Sequence, residues 1–245
     1  MKIRHQCLVI SLIGLLSSGC AVAEISPLTI QSKEVHQMQK LSQRQQALIP
    51  IAAFAATGNL EKLNQALVQG LEQGLTINEI KAVLVQVYAY AGFPRSLNAL
   101  TELMQVVEQR KAKGIKDVEG KDSQALPQDY QSLKEGTANQ TKLVGQPVTG
   151  TLFDFAPEID EYLKAHLFGD IFSRDVLSWQ DREIATVSML AALEGVQSQL
   201  RSHLTISQKQ GLSIEQLRTI GIILSEQVST EANQRFNTEL TVLSK

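Results

Sequence analysis

Cysteine is almost missing from this chain: Cys7 and Cys20 are the only two, and both lie in the first 23 residues. If that leader is removed, no thiol remains, which excludes disulfides, thiolate metal sites and cysteine-based redox chemistry. A large excess of either charge is lacking too. A formal net charge of -2 gives no electrostatic footprint for nucleic acid or an anionic membrane surface, so a small molecule or a protein is the better partner. The apolar run from Cys7 to Leu16 is well short of the roughly 20 residues a membrane span needs. Alternating β-branched runs and Asn-Gly or Asp-Gly hairpin turns are absent, which removes the strand signals. No Gly-rich phosphate loop, no nucleophilic serine motif and no His, Asp or Glu cluster at metal spacing occurs, so no cofactor and no metal is expected.

What is present suits a globular chain. Of 245 residues, 43% are apolar and 20% charged, enough for one or two sizeable cores. Lys2 and Arg4 precede the apolar run and together they have the form of a secretory signal. Ala21-Val-Ala23 predicts cleavage before Glu24, giving an exported, periplasmic or secreted protein. Gly19-Cys20 offers the alternative of a lipoprotein acylated at Cys20, but Ser17 stands where that signal usually has Leu. The soluble exported form is therefore preferred.

The body of the chain is one helical module written twice. Gln73-Gly-Leu-Thr-Ile-Asn-Glu-Ile80 returns as Gln210-Gly-Leu-Ser-Ile-Glu-Gln-Leu217, 137 residues later. In each copy a Gly (Gly74, Gly211) stands where a helix ends, and Thr76 with Glu79, or Ser213 with Gln216, form a capping box. The same offset pairs Gly58 with Gly195, Leu63 with Leu200 and Leu67 with Leu204. Residues 24–113 are read as the first module, 114–150 as a linker with a local helix around 128–134, and 151–245 as the second module.

Helical periodicity fills both modules. Ser42 caps a helix carrying Pro50, which should kink it. Leu60, Leu63, Leu67 and Leu71 share a face of the next. Ile80, Val83, Leu84, Val87, Tyr88 and Ala91 form the stripe of a third, and Leu97, Leu100, Leu103, Met104 and Val107 should face inward from a fourth. In the second module Tyr162, Leu163, His166 and Leu167 are spaced for burial, Ser178 caps a helix starting at Trp179, and further helices follow to about residue 243. The fold class is all-α.

Tyr88-Ala-Tyr-Ala-Gly-Phe-Pro-Arg-Ser-Leu-Asn-Ala-Leu100, following the first capping-box segment, resembles the carboxymuconolactone decarboxylase family, which shares its fold with alkylhydroperoxidase D. Ala156-Pro-Glu-Ile159, Phe168-Gly-Asp-Ile171, Arg182-Glu-Ile184 and Leu200-Arg-Ser-His203 resemble the opening half of the same domain. The resemblance implies tandem alkylhydroperoxidase D-like helical domains forming an intrachain pseudo-dimer, assembled as a trimer of tandem chains. It also implies small organic acids, lactones or hydroperoxides as substrates. The family's peroxidase branch uses a Cys-x-x-Cys pair just before the motif histidine, and Val196 and Gln199 stand there instead. The first module keeps Tyr90-Ala-Gly-Phe-Pro94 but has Ala66 opposite His203 and Gln46 opposite Glu183; the second keeps Glu183 and His203 but reads Gln227-Val-Ser-Thr-Glu231 where the Tyr-Gly-Pro segment belongs.

His203 lies three residues after Leu200 and directly before Leu204, so its imidazole faces inward, as a general acid or base requires; a satisfied core histidine is the plainer alternative. Glu183, on the stripe between Trp179 and Val187, either orients that imidazole or is a solvated first-turn acid. Tyr88 and Tyr90 flank their stripe, about 80° to either side at about 100° per residue, and could line a pocket between modules. Arg201 could meet a substrate carboxylate or simply be solvated. Glu183 and His203 are thus the catalytic candidates, and Tyr88, Tyr90 and Arg201 the substrate-binding ones. They suit a cofactor-free lyase or isomerase acting on a small carboxylated lactone or keto acid. A non-catalytic oligomeric or ligand-binding protein is the alternative, and peroxide removal a weaker one, opposed by the missing cysteines.

Overall fold

A computed structural model describes residues 40–243. The expected signal sequence, both cysteines, the predicted cleavage position before Glu24 and His36 lie outside the described residues. Among those described there are helices and no strand, and no helix is long and apolar enough to cross a membrane.

The first module is α1 (Gln43–Thr57), α2 (Leu60–Glu72), α3 (Ile77–Gln86), the single turn α4 (Tyr88–Ala91) and α5 (Phe93–Ala112). Then come α6 (Ser132–Val144) and the short α7 (Thr151–Phe155) and α8 (Pro157–Tyr162), followed by α9 (Leu163–Ile171), which is wound as a π-helix. The second module closes with α10 (Trp179–Ala192), α11 (Gln197–Lys209), α12 (Ile214–Ile223), the π-helical turn α13 (Leu224–Val228) and α14 (Thr230–Leu243).

The repeat governs the helix boundaries. α11 and α12 begin and end 137 residues after α2 and α3, and α14 begins 137 after α5. The same capping chemistry sets these limits: Thr76 and Ser213 each accept a bond from the amide three residues on, and each capping box is complete. The linker finishes the work at α3, where the amides of Ile77 and Asn78 donate to the carbonyls of Val118 and Glu119 at 3.0 and 2.9 Å. First-turn amides that the helix itself leaves unpaired are thereby satisfied.

α1 and α10 form the centre. Every residue from Ala47 to Ala56 of α1 and from Asp181 to Ala191 of α10 is buried; a helix apolar on all sides, as α1 is, has no solvent face to offer and must be covered. The two pack directly on each other, and one apolar core runs from Leu41 to Leu240 through both modules. Arg44 of α1 reaches Asp181 of α10, its own equivalent in the repeat, at 3.0 Å. A residue that touches its own counterpart must lie beside the pseudo-two-fold axis.

Three expectations are corrected. On α5 the buried face is Ser96, Ala99, Leu103, Val106 and Arg110, one position round from the one read in sequence, so Leu97 and Met104 are 59% and 55% exposed. Tyr162 and His166 are exposed as well, because the chain widens into π-winding at Leu163 and the spacing that would bury them no longer holds. Within residues 114–150 the helix is α6, later and longer than the local helix placed around 128–134.

α6 builds a second, smaller core. Its Leu143 meets Leu167, Phe168, Ile171, Phe172 and Ile206, with the rings of Tyr88, Tyr90 and Trp179 packed against them.

Candidate functional site

Glu183 belongs to the part of α10 that is buried on all sides, where an ionisable group persists only if it is paired. It is 0% exposed and its Oε2 lies 2.9 Å from Nδ1 of His203, on the next helix, α11. His203 is itself only 8% exposed. Because a carboxylate can only accept, Nδ1 carries the proton and the lone pair of a neutral ring falls on Nε2.

The first module supplies what Nε2 faces. The Tyr90 hydroxyl is 3.5 Å from Nε2 and the two rings meet edge to face, centroids 5.6 Å apart. Tyr90 reaches this place because the helical stripe breaks at Val87 and resumes as the one-turn α4, which Gly92 ends at a φ of 86°. A side chain at that φ is strained, so the glycine has a specific use here. Pro94 then starts α5.

A line of buried polar groups continues from the phenol. Thr186 Oγ1 donates to the Tyr90 oxygen at 3.3 Å and accepts from Gln86 Nε2 at 2.8 Å. Gln86 Oε1 in turn accepts from Arg182 Nη1 at 3.0 Å. With Thr186 donating to its oxygen, the Tyr90 O–H is left to point at Nε2, and all donors then run one way, from the Arg182 cation to the Glu183 anion. The end groups keep capacity in reserve: Arg182 Nε and Glu183 Oε1 are buried and have no hydrogen-bond partner among the described residues.

Burial, and next the nearby Glu183 charge, push the Tyr90 phenol far above its ordinary value, so it stays a donor at any physiological pH. Burial also pushes Arg182 down to about 10, while Tyr90, Asp175 and Asp181 pull it back up. Arg182 remains a cation at neutral pH, held over the Phe172 ring at 5.7 Å.

Glu183, His203 and Tyr90 therefore come together, and the other two sequence candidates do not join them. Tyr88 is half-buried with its ring stacked on Phe93 at 4.5 Å. Arg201 turns its Nε to Glu239 at 2.7 Å. It sits two residues before His203, about 200° round the helix, so the two cannot share a face. Trp179 is half-buried and donates to the Phe172 carbonyl at 3.0 Å. No grouping of three or more His, Cys, Asp or Glu able to hold a metal occurs among the described residues.

Gln86, Thr186 and Arg182 were missed as site residues. Their signal was available: Gln86 is a carboxamide between Val83 and Val87 on an apolar helix, and a polar residue on a buried face needs a partner.

Comparison with known proteins agrees with the duplication. The family described as the carboxymuconolactone decarboxylase family matches the chain twice, over residues 30–104 and 157–231. Uncharacterized protein MJ1511 of Methanocaldococcus jannaschii is 34% identical over 74 residues, which is 30% of this chain and 69% of the relative. That relative is little longer than one module.

Proposed function

Since the chain belongs to the carboxymuconolactone decarboxylase family, we propose that it is a cofactor-free acid/base lyase or isomerase acting on a small carboxylated lactone or keto acid. One observation carries this reading: a buried Glu183–His203 pair at 2.9 Å whose free ring nitrogen faces Tyr90 of the other module.

The chemistry follows from the proton positions. Glu183 holds Nδ1–H, so Nε2 is the atom that takes a proton from carbon next to a carbonyl and returns it elsewhere, as isomerisation requires. Glu183 then balances the charge on the imidazolium. The Tyr90 O–H, kept protonated by its surroundings, stabilises the enolate oxygen that develops. If instead a carboxylate leaves as CO2, the carbanion takes its proton from an imidazolium that solvent has protonated at Nε2, and the ring returns to its neutral Nδ1–H form. The unpartnered Glu183 Oε1 is an acceptor left over for a guest or a water molecule.

Turnover of a panel of carboxylated lactones and keto acids, followed by lactone absorbance and CO2 release, tests the reading. His203→Ala should lower kcat by about 100-fold or more, and Arg201→Ala should leave it unchanged. Unchanged turnover in His203→Ala removes the imidazole from the mechanism. Ligand binding by the wild-type protein with no conversion leaves the non-catalytic alternative.

Export and a trimer of tandem chains belong to the same proposal. The apolar side chains of Phe93, Leu97 and Met104 on α5, and of Leu152, Phe155 and Ile159 on α7 and α8, are more than half exposed; covering them with further copies of the chain would remove that surface from water.

A further inference from the structure

The pseudo-two-fold relation that places the Glu183–His203–Tyr90 site also marks an equivalent position on the other side of the α1–α10 pair. The offset of 137 carries His203 onto Ala66, Glu183 onto Gln46 and Tyr90 onto Gln227. A cavity of about 350 Å³ lies there, lined by Pro50 and Phe54 of α1, Lys62, Ala66 and Gln69 of α2, and Gln227 of α13. Its existence has a simple cause. Where an imidazole and a phenol fill the first site, a methyl group and a flexible carboxamide leave the space open. The relation between elements is kept, since α13 of the second module packs on α1 of the first just as α4 of the first packs on α10 of the second.

The lining also has a definite chemistry. Lys62 is its only ionisable side chain, with the ammonium 5.5 Å above the Phe54 ring. Carboxamides of Gln65, Gln69 and Gln227 stand with it, and no carboxylate faces the cavity. Apolar contact comes from Phe54, Pro50 and Ala66. Such a wall attracts one negative charge, offers amide donors to it and gives a flat apolar surface to the rest of the guest. It holds no group able to take a proton from carbon.

We propose that this cavity is a second, non-catalytic binding site for a small organic acid, with the carboxylate on Lys62 and the glutamine amides and the hydrocarbon part on Phe54. A duplicated pair of sites would thus have been divided, one kept for proton transfer and the other for binding alone.

Titration calorimetry of the mature full-length tandem chain with benzoate is the test, comparing wild type with Lys62→Glu, Ala66→Leu and His203→Ala. Lys62 is exposed, so its replacement should leave the fold intact, and circular dichroism checks that. Benzoate should bind wild type and His203→Ala equally, while Lys62→Glu weakens binding by about tenfold or more. Ala66→Leu, which fills the cavity from a buried position, should abolish it. Equal affinity in Lys62→Glu, binding lost only in His203→Ala, or no saturation of wild type below about 10 mM would each overturn the proposal. Catalysis is judged separately: if His203→Ala leaves turnover intact but not Lys62-dependent benzoate binding, the assignment of His203 fails and this site fails with it; if both persist, only the assignment of His203 fails.

Discussion

Replacing Gly136 by alanine probes the contact that builds the second core beside Tyr90. A Cβ on Gly136 would stand 1.8 Å from the Lys164 carbonyl oxygen and 2.7 Å from the Gly169 amide nitrogen, against an ordinary separation of about 3.5–4.0 Å. These are backbone atoms, so no rotamer change relieves the overlap and α6 and α9 must part by roughly 1.5 Å. The approach is mutual, since a Cβ on Gly169 would meet the Ser132 carbonyl oxygen at 2.3 Å. Parting the helices strains the bond from Asn139 Nδ2 to Phe168 O at 2.8 Å and loosens Leu143 from Leu167 and Phe168. Overpacking of this kind costs about 1–3 kcal/mol, and a lost hydrogen bond adds about 1 kcal/mol. Helix preference works in the opposite direction, favouring alanine by about 0.5–1 kcal/mol. The sign therefore discriminates: loss of about 1–3 kcal/mol if the backbones touch, a small gain if they do not. Urea unfolding read by fluorescence suits the question, because Trp179, the only tryptophan, donates to Phe172 in this same cluster. Gly136→Ala should lower the midpoint and shift native emission to the red. A raised midpoint with unchanged emission refutes the reasoning. Gly74→Ala, at a φ of 90° with open space around it, should lower the midpoint by backbone strain and leave native emission alone.

Glu79 is held below its ordinary value: burial pushes it up, but bonds from Arg44 and from Thr76 outweigh this. A carboxylate depressed in the folded state stabilises it above the unfolded value and stops doing so as pH falls through the folded one. The urea midpoint of wild type should therefore drop between about pH 5 and pH 3, and Glu79→Gln should flatten that drop; an identical slope in the variant refutes the linkage. Long-range proton–nitrogen spectra should show His203 as the Nδ1–H tautomer in wild type and as a mixture in Glu183→Ala, whereas an unchanged spectrum would remove Glu183 as the partner that orients the ring. Mass spectrometry of protein recovered from an exporting host should give a chain beginning at Glu24, and a diacylated chain beginning at Cys20 would favour the lipoprotein form instead.

The fold was readable wherever one local signal decided the outcome. Ser42, Thr76, Ser178 and Ser213 all cap the helices expected of them, because a cap depends on residues within one turn. Leu97 and Met104 were misplaced since several apolar stripes on α5 compete, and only packing against α2 and α3 chooses among them. Tyr162 and His166 failed for another reason: π-winding changes the residue spacing without leaving a mark in composition. At the site, Glu183 and His203 were legible as polar groups on apolar faces, and Tyr90 as part of a segment at the end of a stripe. Arg201 could have been set aside from its two-residue spacing to His203 alone. The order of the polar line from Arg182 through Gln86 and Thr186 was not legible, because residues 96 and 100 apart in the chain meet only once α3 and α10 are packed.

The duplication explains why that polar line exists on one side only. Glu183, Arg182 and Thr186 have Gln46, Gln45 and Ile49 as their equivalents, and Gln86 has Ile223. Two identical chains around a true two-fold axis would be obliged to bury the whole set twice, with the desolvation cost of each buried charge repeated. Fusion removes that obligation, since each half can change independently while the axis contact between Arg44 and Asp181 persists. The first module could then lose its own carboxylate and imidazole and still keep Tyr90, because Tyr90 serves the site of the second. This accounts for the uneven motifs: each half retains the residues that face the Glu183–His203–Tyr90 cluster, while the other position has Gln46, Ala66 and Gln227 in their place.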